Sequence, residues 1–175
     1  MTPSRIHITG NAGSGKTTLA MRLGAELGLP VFSLDSVVWQ RGWRKTPQDM
    51  RVLLEEQLVC APTWIVEGVS SRVRRAADVV LFLDVSRPVC FTRAIGRTVR
   101  HLRQQRPEFP PGCQEWRVFP KLLQIIWSFP KHTGLDIRHE AAEYPERFRV
   151  VRRGGEIDKV VEEWLPVWHF ALTDR

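Results

Sequence analysis

The amino-acid sequence predicts an α/β protein of three layers, a five-stranded parallel sheet held between helices. Three observations predict it. Apolar, β-rich runs alternate with helical patterns along the chain, which is the signature of repeated strand–helix–strand units. The run Val79-Val80-Leu81-Phe82-Leu83 is apolar without alternation, as a strand covered on both faces must be. A glycine-rich turn, Gly10-Asn11-Ala12-Gly13-Ser14-Gly15-Lys16-Thr17-Thr18, stands between the first such run and the first helical pattern.

The elements follow in order. The first strand is predicted over 5–9 (RIHIT), and a helix follows the glycine-rich turn with Leu19, Leu23 and Leu27 on one side, stopped by Gly28 and Pro30. A second strand is expected over 30–34. A helix then opens with Thr46 and Asp49 in the pattern of a capping box and Pro47 at its first position; Met50, Leu53, Leu54 and Leu58 form its apolar face. Strands are expected over 63–68 and 78–84. A long helix starts near Ser86, where Asp84 is a candidate cap, and runs into "RPEFPPGCQEW", whose prolines and glycine predict an irregular segment able to cover a site. The fifth strand is predicted over 147–152. Right-handed crossovers make the sheet parallel and put the glycine-rich turn at the carboxyl end of the first strand. No repeat or linker interrupts the 175 residues, so a single domain over 1–175 is expected.

The turn carries the chemistry. Gly10, Gly15, Lys16 and Thr17 satisfy G-x-x-x-x-G-K-[ST] between a strand and a helix. Glycines let successive N–H groups point inward at phosphate oxygens, and the helix that follows adds its positive end. Lys16 is placed to meet the β- and γ-phosphates of a nucleoside triphosphate, and the Thr17 hydroxyl to ligate magnesium. The residues from Gly10 through Thr18 are thus the expected binding set for ATP and Mg2+.

Composition narrows the setting. With 43% hydrophobic and 26% charged residues the chain is ordinary for a globular domain, and it has neither a signal-peptide run nor a membrane span, so a cytoplasmic protein is expected. Cys60, Cys90 and Cys113 are scattered and read as reduced thiols. The net charge of +7 favours anionic partners, nucleotides or nucleic acid. No acidic residue occurs from Val85 to Pro107, while Arg93, Arg97 and Arg100 share one helix face, either to grip a polyphosphate or as a solvated basic face.

Asp35, just after the second strand, is read either as the carboxylate that orients a hydroxyl acceptor and takes its proton, or as the cap of a short turn. Trp39 and Trp43 follow, to stack on a ring or to pack. Arg41, Arg44 and Lys45 surround them, and together they suit a flat, anionic acceptor or a single-stranded nucleic acid. His7 reads as a core histidine.

The phosphate loop, Asp35, Glu67-Gly68 after the third strand and the "RAIGR" helix together resemble the small P-loop kinases of the adenylate kinase type. Within that group, "HITGNAGSGKTTLA", "LDSVVWQRGW", "WIVEG", "LFLDVSRPVCFTRAIGR" and "RPEFPPGCQEW" resemble the FlaR-like proteins called DNA topology modulation proteins, over nearly the whole chain. The resemblance implies a P-loop NTPase fold with a helical lid over about 100–135. It implies that Arg97, after Gly96, meets nucleotide phosphates with Arg93 one turn before it, and that Glu67 holds magnesium through water. Asp35 stands where similar kinases for shikimate and gluconate place an aspartate after the second strand. Where adenylate kinases continue with Phe-Pro-Arg, this chain has Val69-Ser70-Ser71-Arg72, leaving Arg72 to reach an anionic acceptor. The expected function is transfer of the ATP γ-phosphate to a small nucleoside, nucleotide or other hydroxyl acceptor. The rival expectation is a nucleotide-dependent regulatory or nucleic-acid-binding protein, acting on DNA topology with slow ATP turnover.

Overall fold

The computed structural model of the chain describes residues 4–100, 115–153 and 155–162. In chain order its elements are β1 (Arg5–Gly10), α1 (Lys16–Leu27), β2 (Val31–Ser33), α2 (Leu34–Val38), β3 (Trp39–Gln40) and β4 (Arg44–Lys45). There follow α3 (Gln48–Val59), β5 (Trp64–Glu67), α4 (Ser71–Ala76), β6 (Val79–Leu83), α5 (Arg87–Arg100), α6 (Phe119–Ser128), α7 (Thr133–Glu143) and β7 (Phe148–Val151). Residues 155–162 are helical.

Five strands form one sheet in the order β2-β5-β1-β6-β7, every pairing parallel, as the alternation of strands and helices with right-handed crossovers predicts. Alternation along each strand divides the core into two clusters. Ile6, Ile8, Ile65, Leu81, Leu83 and Val151 face α1 and α5, with Ile126 of α6 and Val161 packed among them. Trp64, Val66, Val80, Phe82 and Phe148 meet Val73 of α4 and Ile137 of α7 on the opposite face. Both faces are dry, which gives the three layers. The antiparallel ribbon β3–β4 lies outside this sheet, and the sequence pattern did not announce it.

Three expectations need correction. α3 begins after Pro47 with no side-chain cap, so Thr46 and Asp49 form no capping box. Met50 and Leu53 are exposed and only Leu54 and Leu58 are half-buried, because α3 lies at the rim, where α4 and α2 cover part of it. Asp84 pairs with Arg138 of α7 through two bonds of 2.6 and 3.0 Å, a fork that ties α7 to the end of β6. Of the segment expected as a helical lid, residues 101–114 lie outside the described residues, and 115–131 and 133–135 are helical. Ile126 is fully buried, Phe129 is 8% exposed, and the Arg87 guanidinium lies over the Trp127 ring at 4.8 Å. A second fork, Arg74 to Glu140 at 2.6 and 2.8 Å, fixes α7 to α4.

Candidate active site

The turn after β1 has the geometry of an anion cradle. Gly10, Gly13 and Gly15 take φ of +151°, +79° and +104°, and an added Cβ on Gly13 would lie 2.4 Å from the Cys90 carbonyl oxygen. Only glycine fits there. α1 has Gly15 as its N-cap and no side chain bonded to its first-turn N–H groups, which leaves those donors at the positive end of the helix. The Ser14 hydroxyl is buried and finds no partner among the described residues. The Lys16 ammonium, half-buried, donates to the Asn11 carbonyl at 2.9 Å. Burial pushes its pKa down, while the carboxylates of Glu67 and Asp35 pull the other way. A desolvated ammonium amid free donors suits a bound polyanion.

The carboxylates are set by one serine. Ser33, last residue of β2, donates its hydroxyl to Glu67 Oε1 at 2.5 Å and accepts from the Asp35 N–H at 3.3 Å, making it the cap of α2. The capping alternative for Asp35 is therefore filled by Ser33, and the Asp35 carboxylate is exposed toward the cavity with no hydrogen bond among the described residues. Glu67 is 4% exposed. Next to it Gly68 has φ of +131°, and an added Cβ would lie 2.7 Å from Leu34 Cβ. Buried His7 sits behind, with Nε2 3.2 Å from the Gly68 carbonyl oxygen and so carrying the proton. Desolvation, helped by the charge on Arg74, pushes its pKa down to about 3.

These groups meet in a cavity of about 300 Å³. Gly10, Ala12, Gly13, Lys16 and Thr17 line one end, and Asp35, Glu67, Gly68 and Arg97 the middle. Trp39 and Trp43 wall the far end, edge to face with centroids 5.2 Å apart at 83°. Of the remaining loop residues, Asn11 is turned away: its amide donates to the Ile126 carbonyl at 2.9 Å and its Oδ1 receives the Ala12 N–H at 2.8 Å, pinning the loop to α6. Ser14, Gly15 and Thr18 stand outside the lining, and Thr18 is exposed.

Other expected site residues fall elsewhere. Arg72 reaches Glu56 at 3.0 Å on the surface, outside the cavity lining. Arg93 donates to the Ser14 carbonyl at 3.0 Å and borders a second, shallower groove with Arg87, Arg138, Arg152 and Arg153. Arg41, Arg44 and Lys45 are exposed and do not line the cavity. Sequence reasoning missed the α6 wall: Val118, Lys121, Leu122, Ile125 and Phe129. Its signal was available, since 118, 122, 125 and 129 repeat at helical spacing.

Thr17 and Glu67 are both oxygen donors in the cavity lining, a set that fits a hard divalent cation holding most of its waters and phosphate oxygens. Among the described residues no cluster of three or more His, Cys, Asp or Glu side chains can hold a metal ion, and no described helix is long and apolar enough to cross a membrane.

No family model and no curated protein matches the chain. Solved structures do. Shikimate kinase from Acinetobacter baumannii, in complex with shikimate, superposes with a TM-score of 0.56 at 15% identity, covering 100% of this chain and 96% of that one. Shikimate kinase from Bacteroides thetaiotaomicron gives 0.52 at 16%, covering 96% and 99%. A gluconokinase from Sinorhizobium meliloti gives 0.51 at 18%, covering 98% and 95%. At such identities the likeness speaks for architecture: the chain has the five-stranded parallel fold of these small P-loop kinases.

Proposed function

We propose that the chain is an ATP-dependent phosphotransferase acting on a small hydroxyl acceptor. One observation carries the reading: a desolvated lysine in an anion cradle shares one cavity with a buried glutamate and with an aspartate whose carboxylate has no hydrogen bond among the described residues. The loop N–H groups and Lys16 bind the β- and γ-phosphates; bound Mg2+, held by Thr17 and through water by Glu67, would neutralise their charge. Asp35 orients the acceptor hydroxyl and receives its proton as the oxygen bonds to the γ-phosphorus and the bond from that phosphorus to ADP breaks. Arg97, lining the same cavity, stabilises the charge on the transferring group. The fold shared with shikimate kinases and a gluconokinase supports a small acceptor. ADP release measured by a coupled assay across hydroxyl compounds tests this; absence of Mg·ATP binding would remove it.

The shallower groove favours a second reading, in line with the FlaR-like resemblance: a nucleic-acid-binding protein in which ATP acts as a switch. Arg87, Arg93, Arg138, Arg152 and Arg153 line it against one acid, Asp84. That reading expects DNA affinity to fall steeply with salt and turnover to stay slow.

A further inference from the structure

We infer that the acceptor is a compact, uncharged alcohol carrying a flat aromatic ring. The inference rests on the phosphotransferase reading and fixes what that reading leaves open. Once Lys16 and Arg97 are assigned to phosphate and Glu67 to the waters of the magnesium ion, the described lining of the cavity retains one carboxylate, Asp35, and one cation, Lys121. The Lys121 ammonium lies 5.9 Å from the centre of the Trp39 ring. Among the described residues no further arginine fork lines the cavity for a carboxylate or phosphate on the acceptor: Arg72 is engaged by Glu56, and Arg41 and Arg44 are exposed outside the lining. An anionic acceptor would be held against the Asp35 carboxylate with a single point charge for company, which is costly.

The wall itself selects a ring. Val38, Leu122, Ile125 and Phe129 make it apolar, and the perpendicular Trp39–Trp43 pair offers one ring face and one ring edge at a corner. Trp43 is held at φ of +61°, the only residue other than glycine with positive φ among those described, and follows Gly42 at φ of +71°. A bulky side chain in that conformation is strained and persists where surrounding structure holds it, here the β3–β4 ribbon. The ribbon thus spends backbone strain to turn an indole into the cavity. At about 300 Å³ the space is at the small end for ligand sites, which run to about 1,000 Å³, and admits one compact ring system beside the phosphates.

The test pairs uncharged ring alcohols with their anionic counterparts: benzyl alcohol with 4-(hydroxymethyl)benzoate, and uridine with uridine monophosphate, with shikimate and gluconate beside them. Phosphorylated product is measured by mass spectrometry, and binding to the wild-type chain with a non-hydrolysable ATP analogue by calorimetry. The uncharged member of each pair is expected to bind and react, with kcat/KM roughly 100-fold above its partner. Trp43→Leu and Trp39→Leu should raise KM for the ring alcohol about tenfold while the affinity for the ATP analogue stays within about twofold, because the nucleotide lies at the other end. Preference for the anionic member, for shikimate or for gluconate overturns the inference and leaves the kinase reading intact. So does binding of the ATP analogue without binding of either uncharged alcohol. Failure of the analogue itself to bind would instead strike the phosphotransferase reading.

Discussion

The two ends of the cavity are built by different means. At the phosphate end, one contiguous stretch supplies backbone N–H groups, a helix terminus and Lys16, and its shape is enforced by glycines pressed against Cys90 and Leu83. At the acceptor end, side chains arrive from α2, the β3–β4 ribbon, the turn after β5 and α6, elements of which α2 spans only Leu34–Val38 and each ribbon strand two residues. The first end is a property of backbone geometry and tolerates little change. The second is a property of packing, and side-chain substitution can retune it while the sheet stays as it is. Under the proposed function, a scaffold divided this way would keep one donor chemistry and vary the acceptor.

Breaking the phosphate end gives the largest effect. Lys16→Ala removes the one ammonium in the loop, and turnover should fall by roughly 1,000-fold or more, with Mg·ATP no longer raising the melting temperature. The fold should survive, since Lys16 is only half-buried and its single bond is to a loop carbonyl. Near-normal turnover in this variant would contradict the roles assigned to that end of the cavity.

Arg97→Ala sharpens the contrast. Because Arg97 lines the cavity from α5, its loss should lower kcat by roughly 100-fold and leave ATP affinity changed far less, the mark of a contact made in the transition state. Arg93→Ala, whose guanidinium bonds the Ser14 carbonyl, should act on loop geometry and weaken ATP binding instead. Equal effects of the two substitutions on kcat and on ATP affinity would erase the distinction.

Gly13→Ala breaks the phosphate end through the backbone. A φ of +79° and a carbonyl oxygen 2.4 Å from the new Cβ require the loop or the start of α5 to shift. A loss of about 1–3 kcal/mol in chemical denaturation is expected, with weakened ATP binding. Gly28→Ala, where nothing lies within 4 Å and only φ of +65° resists, should cost less.

The same division explains what the sequence revealed. The five strands were legible as apolar, β-rich runs between helical patterns, that of β6 uninterrupted because both its faces are covered, and the loop because its donors are neighbours in the chain. Asp35 was legible in position; its freedom from capping was not, because that depends on Ser33 meeting Glu67 across the β2–β5 pairing. The arginines were misplaced for a similar reason. Arg41 and Arg44 lie beside the tryptophans in sequence, yet the sharp turn at Gly42 and Trp43 sends the indoles inward and the guanidinium groups outward. The α6 wall joins the site through contacts such as the Asn11–Ile126 bond, which spans more than a hundred positions and leaves no local trace.

The smallest expected effect lies beneath the boundary between the two ends, at His7. Its ring is neutral in the fold, with a pKa of about 3 against 6.5 for an ordinary histidine, because desolvation and the nearby Arg74 charge both oppose protonation. Between those values the unfolded chain binds a proton that the folded chain does not, so stability falls as pH drops below 6.5 and is fully present above it. From pH 7 to pH 5.5 the loss attributable to this ring is roughly 1 kcal/mol. Asp78 and Glu140, whose folded pKa values lie below the ordinary carboxylate range, add their losses only at lower pH and leave this window to the histidine. In His7→Gln an amide can still donate to the Gly68 carbonyl without titrating, so urea denaturation across the window should give a flatter profile than wild type. An unchanged pH dependence in that variant would show that the turn at Gly68, which holds Glu67 and Leu34 in register, does not depend on a neutral ring behind it.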